Sequence, residues 1–290
     1  MAGSAEPITT EPAAVESGTA ESGATSAAST ASTASTLTAP SSAAGTAGTS
    51  EARPSSSAQA SSAPPSPAAT TSAAPSPTGP ALPALTAPYD KVLGEYGDGK
   101  VAYLTFDDGP GPQTGKILDV LGGAGVQATF CQVGSRVDDY PDTERRVIAE
   151  GHTLCNHSWS HPDGLAKASA EDIDAEISRT QQAFAAHGVT SHYFRAPEGG
   201  FGTTSTLRQL CELNNVVPLG WSVDSLDWKK PGAKTIVKNV LSAVHPGAII
   251  LMHDAGGTDR NQTIAALPDI ITGLRSAGYT LAPLPAGGVG

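Results

Sequence analysis

Two carboxylates lie together at the end of an apolar segment, in the run Val-Ala-Tyr-Leu-Thr-Phe-Asp-Asp-Gly-Pro that covers 101–110. In an α/β protein a buried strand is apolar, and the loop at its carboxyl end faces the active-site side. Asp107 and Asp108 therefore have the position of catalytic or metal-binding groups. Taken alone, such a pair would also suit a helix N-cap or a turn.

Two histidines four residues apart occur in the sequence His-Ser-Trp-Ser-His. A helical turn at this point would aim the imidazoles of His157 and His161 in the same direction. Catalytic zinc sites take three protein ligands and a water, so Asp108 could be the third ligand. Metalloprotease helices with this ligand spacing carry their general base inside the motif, but Ser158 occupies that place here. The base must then come from elsewhere, and Asp107 is the candidate.

Three further apolar runs end close to a charged or imidazole side chain, at Arg195, Asp227 and His253. Packing of a buried strand does not require such groups at its end. The repeated pattern therefore predicts that several strands contribute side chains to one rim, as in α/β barrels.

The elements that would position these groups can be predicted from hydrophobic periodicity. Apolar, strand-like runs occur at about 101–106, 126–133, 192–194, 216–223 and 247–252. Helical patterning occurs near 113–123, 141–150, 170–187, 204–214, 234–244 and 262–277. Strand followed by helix, repeated, predicts a parallel α/β sheet or barrel.

The first 88 residues have a different composition from the rest. Of these, 75 are Ala, Ser, Thr, Pro or Gly, and all 14 aromatic residues of the chain lie in 89–290. Such a segment cannot bury enough apolar surface to offset its ordering entropy, so 1–88 is predicted to be a disordered tail or linker. The remaining 202 residues suffice for one folded domain, and a chain beginning near Ala87 is expected to keep its melting temperature.

The net charge of −11 argues against a nucleic-acid partner. It suits a neutral glycan better than a polyanion. No run approaches 18 apolar residues, so no transmembrane segment is expected, and the first ten residues lack the basic and apolar regions of a signal peptide. Cys131 and Cys155 could form a disulfide that leaves Cys211 unpaired, or all three could be separate buried thiols.

The five motifs TFDDGP, HSWSH, RAP, DSLDW and LMHD, in this order over about 99–286, resemble those of the polysaccharide deacetylases of carbohydrate esterase family 4, the NodB-like domain. The resemblance implies a distorted (β/α) barrel and metal-dependent hydrolysis of acetyl groups on polysaccharides. By motif, it makes Asp107 the general base and His253 the general acid, with Asp108, His157 and His161 holding one divalent ion, most often Zn²⁺.

The resemblance also implies supporting roles. Arg195 would orient the base, Asp227 would tune the acid, and Trp228 and Leu251 would wall a pocket for the acetyl methyl group. The third motif of the family commonly reads Arg-x-Pro-Tyr, with the Tyr backbone N–H binding the oxyanion, whereas this chain has Glu198 at that position. The backbone donor survives the change, but the contribution of the side chain to the substrate groove differs.

Three classes of function remain open. The preferred one is an N-deacetylase of N-acetylglucosamine glycans, such as chitin oligomers or peptidoglycan; the second is an acetyl xylan esterase with the same site. The third, an inactive carbohydrate-binding protein of the cell surface, is disfavoured because every residue type that the mechanism needs is present. From the resemblance and the tail, the protein is expected to be secreted or at the cell surface, and we expect a monomer.

Overall fold

The computed structural model describes residue 82 and residues 84–289. Most of the predicted tail therefore lies outside the described residues. The strands are β1 (Val101–Asp107), β2 (Thr129–Gln132), β3 (Thr153–Asn156), β4 (Tyr193–Phe194), β5 (Val217–Pro218), β6 (Val223–Asp224), β7 (Ala248–His253) and β8 (Thr280–Leu281). The helices are α1 (Thr114–Ala124), α2 (Gly134–Val137), α3 (Pro141–Ala149), α4 (Ala170–Ala186), α5 (Thr206–Leu213), α6 (Ala233–Ala243) and α7 (Asn261–Ser276).

The strands form one parallel sheet in the order β5-β4-β3-β2-β1-β7-β6, with β8 pairing beside β1. The two ends of this order, β5 and β6, are separated in the chain by only the four residues 219–222. So short a connection spans at most about 18 Å, so the sheet must curl until its ends approach each other. The fold is thus the predicted distorted (β/α) barrel, built from a curled parallel sheet with helices around it.

Alternation along the strands separates an outer and an inner face. On β1, Ala102, Leu104 and Phe106 belong to the main hydrophobic core, which the helices cover. The intervening Tyr103 belongs to a second cluster, on the inside of the curled sheet. Because side chains in a strand alternate with period two, Asp107 shares the inner face with Tyr103. The strand thereby anchors itself outward and presents its carboxylate inward.

All six helices predicted from the sequence are present, within about two residues of their expected ends. In α4, for example, Ile173, Ile177 and Phe184 are fully buried along one stripe. The hydroxyl of Ser169 caps its first turn by accepting the backbone N–H of Asp172. Hydrophobic periodicity was sufficient to predict these helices because each of them buries one continuous face against the sheet.

One strand prediction is wrong. The apolar run at 216–223 is not one strand but the two short strands β5 and β6 on opposite edges of the sheet. Val217 pairs with Tyr193, whereas Val223 pairs with Ile250. The run is mostly apolar because Val216, Leu219 and Val223 are all buried where the chain crosses between the two edges. The short elements α2 and β8 are not predicted by periodicity either.

The described residues before 89 contact the domain. Leu82 packs against the cluster that contains Leu207 and Val216. The backbone N–H and the hydroxyl of Thr86 both donate to the carboxylate of Glu212. Within the described residues, no helix is long and apolar enough to cross a membrane.

These contacts correct the expectation that a chain beginning near Ala87 keeps its melting temperature, because such a chain loses the bonds of Thr86 to Glu212. We expect a chain that starts at Leu82 to melt at the same temperature as the full chain. A chain that starts at Ala87 should melt lower by roughly 2–4 °C, because it loses hydrogen bonds worth about 1 kcal/mol. Calorimetry of the two truncated chains tests this, and Glu212→Gln in the longer one is the control for the Thr86 contact. A large loss on removal of 1–81 would contradict the prediction.

Candidate active site

The pairing of β1 with β7 places two of the predicted catalytic groups side by side. Asp107 and His253 are register partners at the carboxyl ends of these parallel strands. One step back on the same face, Thr105 is paired with Leu251. Since both strands end here, these two side chains reach the rim while the residues behind them stay buried.

Arg195 fixes the orientation of Asp107. Its guanidinium is fully buried and donates to Asp107 Oδ1 at 2.6 Å and to the Thr105 hydroxyl at 2.8 Å. A third bond, of 2.7 Å, goes to the carbonyl of Gly220. The three bonds hold the guanidinium in place, and its bond to the carboxylate engages Oδ1, while Oδ2 has no contact to Arg195. Oδ2 lies 3.8 Å from His157 Nε2.

Asp108, His157 and His161 form the one group of metal-binding type found among the described residues. One ligand atom of each lies within 4.8 Å of the others, and Asp108 Oδ1 is 3.5 Å and 3.3 Å from the Nε2 atoms of the two histidines. His157 Nδ1 is 2.7 Å from the carbonyl of Arg195, which can only accept. Nδ1 therefore carries the proton, and Nε2 is free for a metal.

The protonation tendencies of the group suit a cation. Burial lowers the pKa of His161, as does the charge of nearby His157 whenever that ring is protonated, and both favour the neutral imidazole that a metal requires. Burial opposes ionisation of Asp108, but the hydrogen bond and charges of the surrounding histidines outweigh it and hold its pKa well below the usual range. The donor set of one carboxylate and two imidazoles therefore fits a divalent ion such as Zn²⁺.

The loop that carries the two histidines is not the helical turn expected from their spacing. Ser158 and His161 have positive φ, of 65° and 55°. The side chain of Asn156 accepts the N–H of Ser158, whose hydroxyl in turn accepts the N–H of His161. These local side-chain bonds compete with helix formation and fold the loop so that both rings still face Asp108.

His253 is held by Asp227. Asp227 Oδ1 is 2.7 Å from His253 Nδ1, and its Oδ2 accepts the backbone N–H of His253 and the hydroxyl of Thr263. Burial lowers the pKa of His253, but the hydrogen bond and charge of Asp227 outweigh it, so the net pKa is raised. The raised pKa favours the charged, proton-donating form, with Nε2 as the atom free to donate.

One cavity of about 370 Å³ lies at the open end of the barrel, and it is lined by Asp107, Asp108, His157, His161 and His253. Leu251 is buried in its wall, and the indole of Trp228 is half exposed. Glu198 lines the same cavity with a φ of 57° and an exposed side chain. Every residue that the sequence analysis selected is thus at the cavity or in direct contact with a residue that lines it.

Sequence reasoning missed several residues that support the site. Thr263 holds Asp227 from α7, 36 positions away, and no local pattern marks it.

Asp254 is fully buried beside Gly109, accepts the hydroxyl of Thr114, and has its pKa raised by burial to about 7. Its place directly after His253 was the available signal. Arg260 reaches Asp108 Oδ2 at 3.4 Å, again from a distant segment.

Cys131 and Cys155 form a disulfide, which the sequence left open. The two residues are register partners on the adjacent strands β2 and β3, and Cys131 is also the partner of Asp107. The bridge therefore joins the strand that precedes His157 to the strand beside Asp107. Cys211 is a free, buried thiol in α5.

Comparison with known proteins finds relatives in one family. A family model described as polysaccharide deacetylase matches residues 94–216. A chitooligosaccharide deacetylase of Rhizobium leguminosarum bv. trifolii is 42% identical over 201 residues, covering 65% of this chain and 92% of the relative. The crystal structure of a peptidoglycan N-acetylglucosamine deacetylase superposes with a TM-score of 0.62 at 34% identity, covering 66% of this chain and 89% of that one.

A family 4 carbohydrate esterase of Streptomyces lividans, solved in complex with acetate, superposes with a TM-score of 0.59 at 34% identity. The match covers 64% of this chain and 94% of the esterase chain. The first relative is matched over nearly its whole length. The chain belongs to the polysaccharide deacetylases, family 4 of the carbohydrate esterases, whose common unit is the NodB-like domain.

Proposed function

We propose that this protein is a zinc-dependent N-deacetylase that hydrolyses the acetamido groups of N-acetylglucosamine glycans, either chitin oligomers or peptidoglycan. One observation carries the proposal. An oriented carboxylate, Asp107, and a carboxylate-held imidazole, His253, lie in register on neighbouring strands, beside a set of ligands for one ion. Relatives named chitooligosaccharide deacetylase and peptidoglycan-N-acetylglucosamine deacetylase support the substrate class.

An acetamide is a poor electrophile with a poor leaving group, so its hydrolysis needs activation of water and of the carbonyl. A divalent ion held by Asp108, His157 and His161 would polarise the carbonyl and acidify a water. Asp107 removes the proton of the attacking water through Oδ2, because Oδ1 is held by Arg195. The backbone N–H of Glu198 is the donor that we assign to the oxyanion.

Collapse of the tetrahedral intermediate expels an amine, and its nitrogen must be protonated. We assign this step to His253, whose Nε2 faces no protein partner among the described residues while Nδ1 is bound to Asp227. Trp228 and Leu251 line the same cavity, and we propose that they enclose the acetyl methyl group. A propionylated substrate should therefore react more slowly.

We further propose that the enzyme acts outside the cytoplasm, as a secreted or surface protein, because its substrates are wall or extracellular glycans. The buried Cys131–Cys155 disulfide supports an oxidising compartment. So does the Ser/Thr/Pro-rich composition of 1–88.

An acetyl xylan esterase would use the same ion, base and acid. It would depend less on the acid, so removal of the acid should distinguish the two activities. We expect His253→Ala to lower turnover of N-acetyl chitooligosaccharides by at least about 100-fold. O-acetyl xylan should lose less, since an alkoxide departs with less help than an amine. Acetate release from chitopentaose, peptidoglycan and acetylated xylan, measured for both proteins, is the test.

The half-buried His245, whose ring lies near Glu95 and outside the active-site cavity, provides the control, because His245→Ala should leave all three rates unchanged. Equal losses on amide and ester in His253→Ala, or a wild-type protein active only on xylan, would favour the esterase. A wild-type protein that releases acetate from none of the three would favour the inactive, carbohydrate-binding alternative.

A further inference from the structure

The cavity of the active site adjoins a second, larger groove. The groove has a volume of about 820 Å³ and is formed by the 162–168 loop and the exposed side of α4. His161 lines the active-site cavity and Pro162 lines the groove, so the boundary between them falls between two consecutive residues. Glu198 is the residue that lines both. A glycan that extends from the reaction centre into the groove must therefore pass its carboxylate.

The backbone at Glu198 is held in place. Glu198 and Gly199 both have positive φ, of 57° and 68°, a conformation that costs a residue with a Cβ roughly 1–2 kcal/mol. Gly199 lies close against the ring of Trp221: a Cβ added at that glycine would be only 2.3 Å from the indole. Pro197 on the other side is buried. The turn therefore presents the Glu198 side chain from a fixed point at the mouth of the cavity.

The Glu198 carboxylate has no hydrogen bond or ion pair to another described residue, so it is available to a ligand. Two other charged groups of the groove already have partners. Glu176 is occupied by the backbone N–H and hydroxyl of Ser160, and Arg179 stacks on the ring of Trp159 at 4.2 Å. The groove has four carboxylates and two cations, the latter being Lys167 and Arg179. By formal charge the groove is therefore acidic.

This arrangement discriminates among glycans by charge. An N-acetylglucosamine unit is neutral, a deacetylated unit carries an ammonium group at slightly acidic pH, and a glycan with acidic peptide substituents is anionic. A carboxylate without a partner attracts the second and repels the third. The effect is modest for a group open to solvent, and it decreases with salt.

We propose that Glu198 is a specificity-determining residue that selects glycans with a protonated amino sugar next to the unit being deacetylated. The preferred substrate is then a partially deacetylated chitooligosaccharide rather than an anionic, peptide-bearing glycan. This inference rests on the proposed N-deacetylase function and adds to it the charge of the substrate. It also implies that one deacetylation favours the next on the same chain.

The test compares kcat/KM on chitotetraose, on singly deacetylated chitotetraose and on a peptide-bearing peptidoglycan oligosaccharide, at slightly acidic pH and low salt. We expect the wild-type protein to prefer the singly deacetylated tetramer over chitotetraose by about three- to fivefold, the size of one solvent-open ion pair. In Glu198→Gln that ratio should fall to about one, and the relative rate on the anionic glycan should rise. About 1 M salt should remove the preference from the wild type as well.

Glu171→Gln is the matched control, because Glu171 is an exposed glutamate in the first turn of α4 that lines neither cavity. It should keep both the rates and the ratio. A wild-type protein that deacetylates chitotetraose without a preference, or a ratio that Glu198→Gln leaves unchanged, would overturn the role of Glu198 and leave the N-deacetylase standing. Absence of acetate release from every substrate would overturn the proposed function itself and this inference with it.

Discussion

His161→Ala is expected to lose its bound metal and its activity together. The substitution leaves two ligands, Asp108 and His157, of the three that the site offers. Catalytic zinc sites need three protein ligands to hold the ion while keeping one position open. His161 is also the better of the two histidines to replace, because its side chain is 30% exposed against 3% for His157, so the fold should survive. Elemental analysis after purification and acetate release from chitopentaose check both losses.

His187→Ala is the control for this change. His187 ends α4 and pairs with the exposed Asp138, away from the cavity. It should retain one ion per chain and full activity. Treatment with a chelator should reduce the wild type to the level of His161→Ala, and added Zn²⁺ should restore the wild type alone. A His161→Ala protein that stayed fully active after chelation would refute the assignment of this site.

The helices of this fold could be predicted because each shows helical hydrophobic periodicity. The longer strands could be predicted because each is a continuous, mostly apolar run. Val101–Asp107 and Ala248–His253 both bury at least five consecutive residues, which marks a strand covered on two faces. The two-residue strands β5 and β6 are too short to have a period at all. Their places on opposite edges depend on the curl of the whole sheet, which is a tertiary property that no local window contains.

The site shows the same division. Asp107, His253 and Arg195 could be selected because each is a polar group where an apolar run has to end. The pairing of Asp107 with His253 could not, since it depends on the register of strands about 145 residues apart. Thr263 could not be selected either, because its hydroxyl matters only after α7 has packed beside Asp227. Candidate reactive side chains are therefore easier to identify from the sequence than the side chains that hold them in place.

Asp107→Asn should separate binding of the ion from chemistry. The amide keeps the size of the carboxylate and can still accept from Arg195, but it cannot take a proton from water. Turnover should fall by at least about 100-fold, the usual scale for loss of a general base. Since Asp107 is not one of the three grouped ligands, the protein should retain about one ion per chain. Elemental analysis and kcat on chitopentaose measure the two effects.

The fold is expected to lose stability in the same variant, and this loss must be kept apart from the catalytic one. Arg195 is fully buried, and removing the charge of its partner leaves a buried cation without compensation, at a cost of about 3–5 kcal/mol. Turnover should therefore be measured well below the lowered melting temperature. Asp269→Asn, at an exposed position on α7, should change neither quantity. If Asp107→Asn instead came out folded but free of metal, Asp107 would be a ligand, and the roles of the two neighbouring aspartates would have to be exchanged.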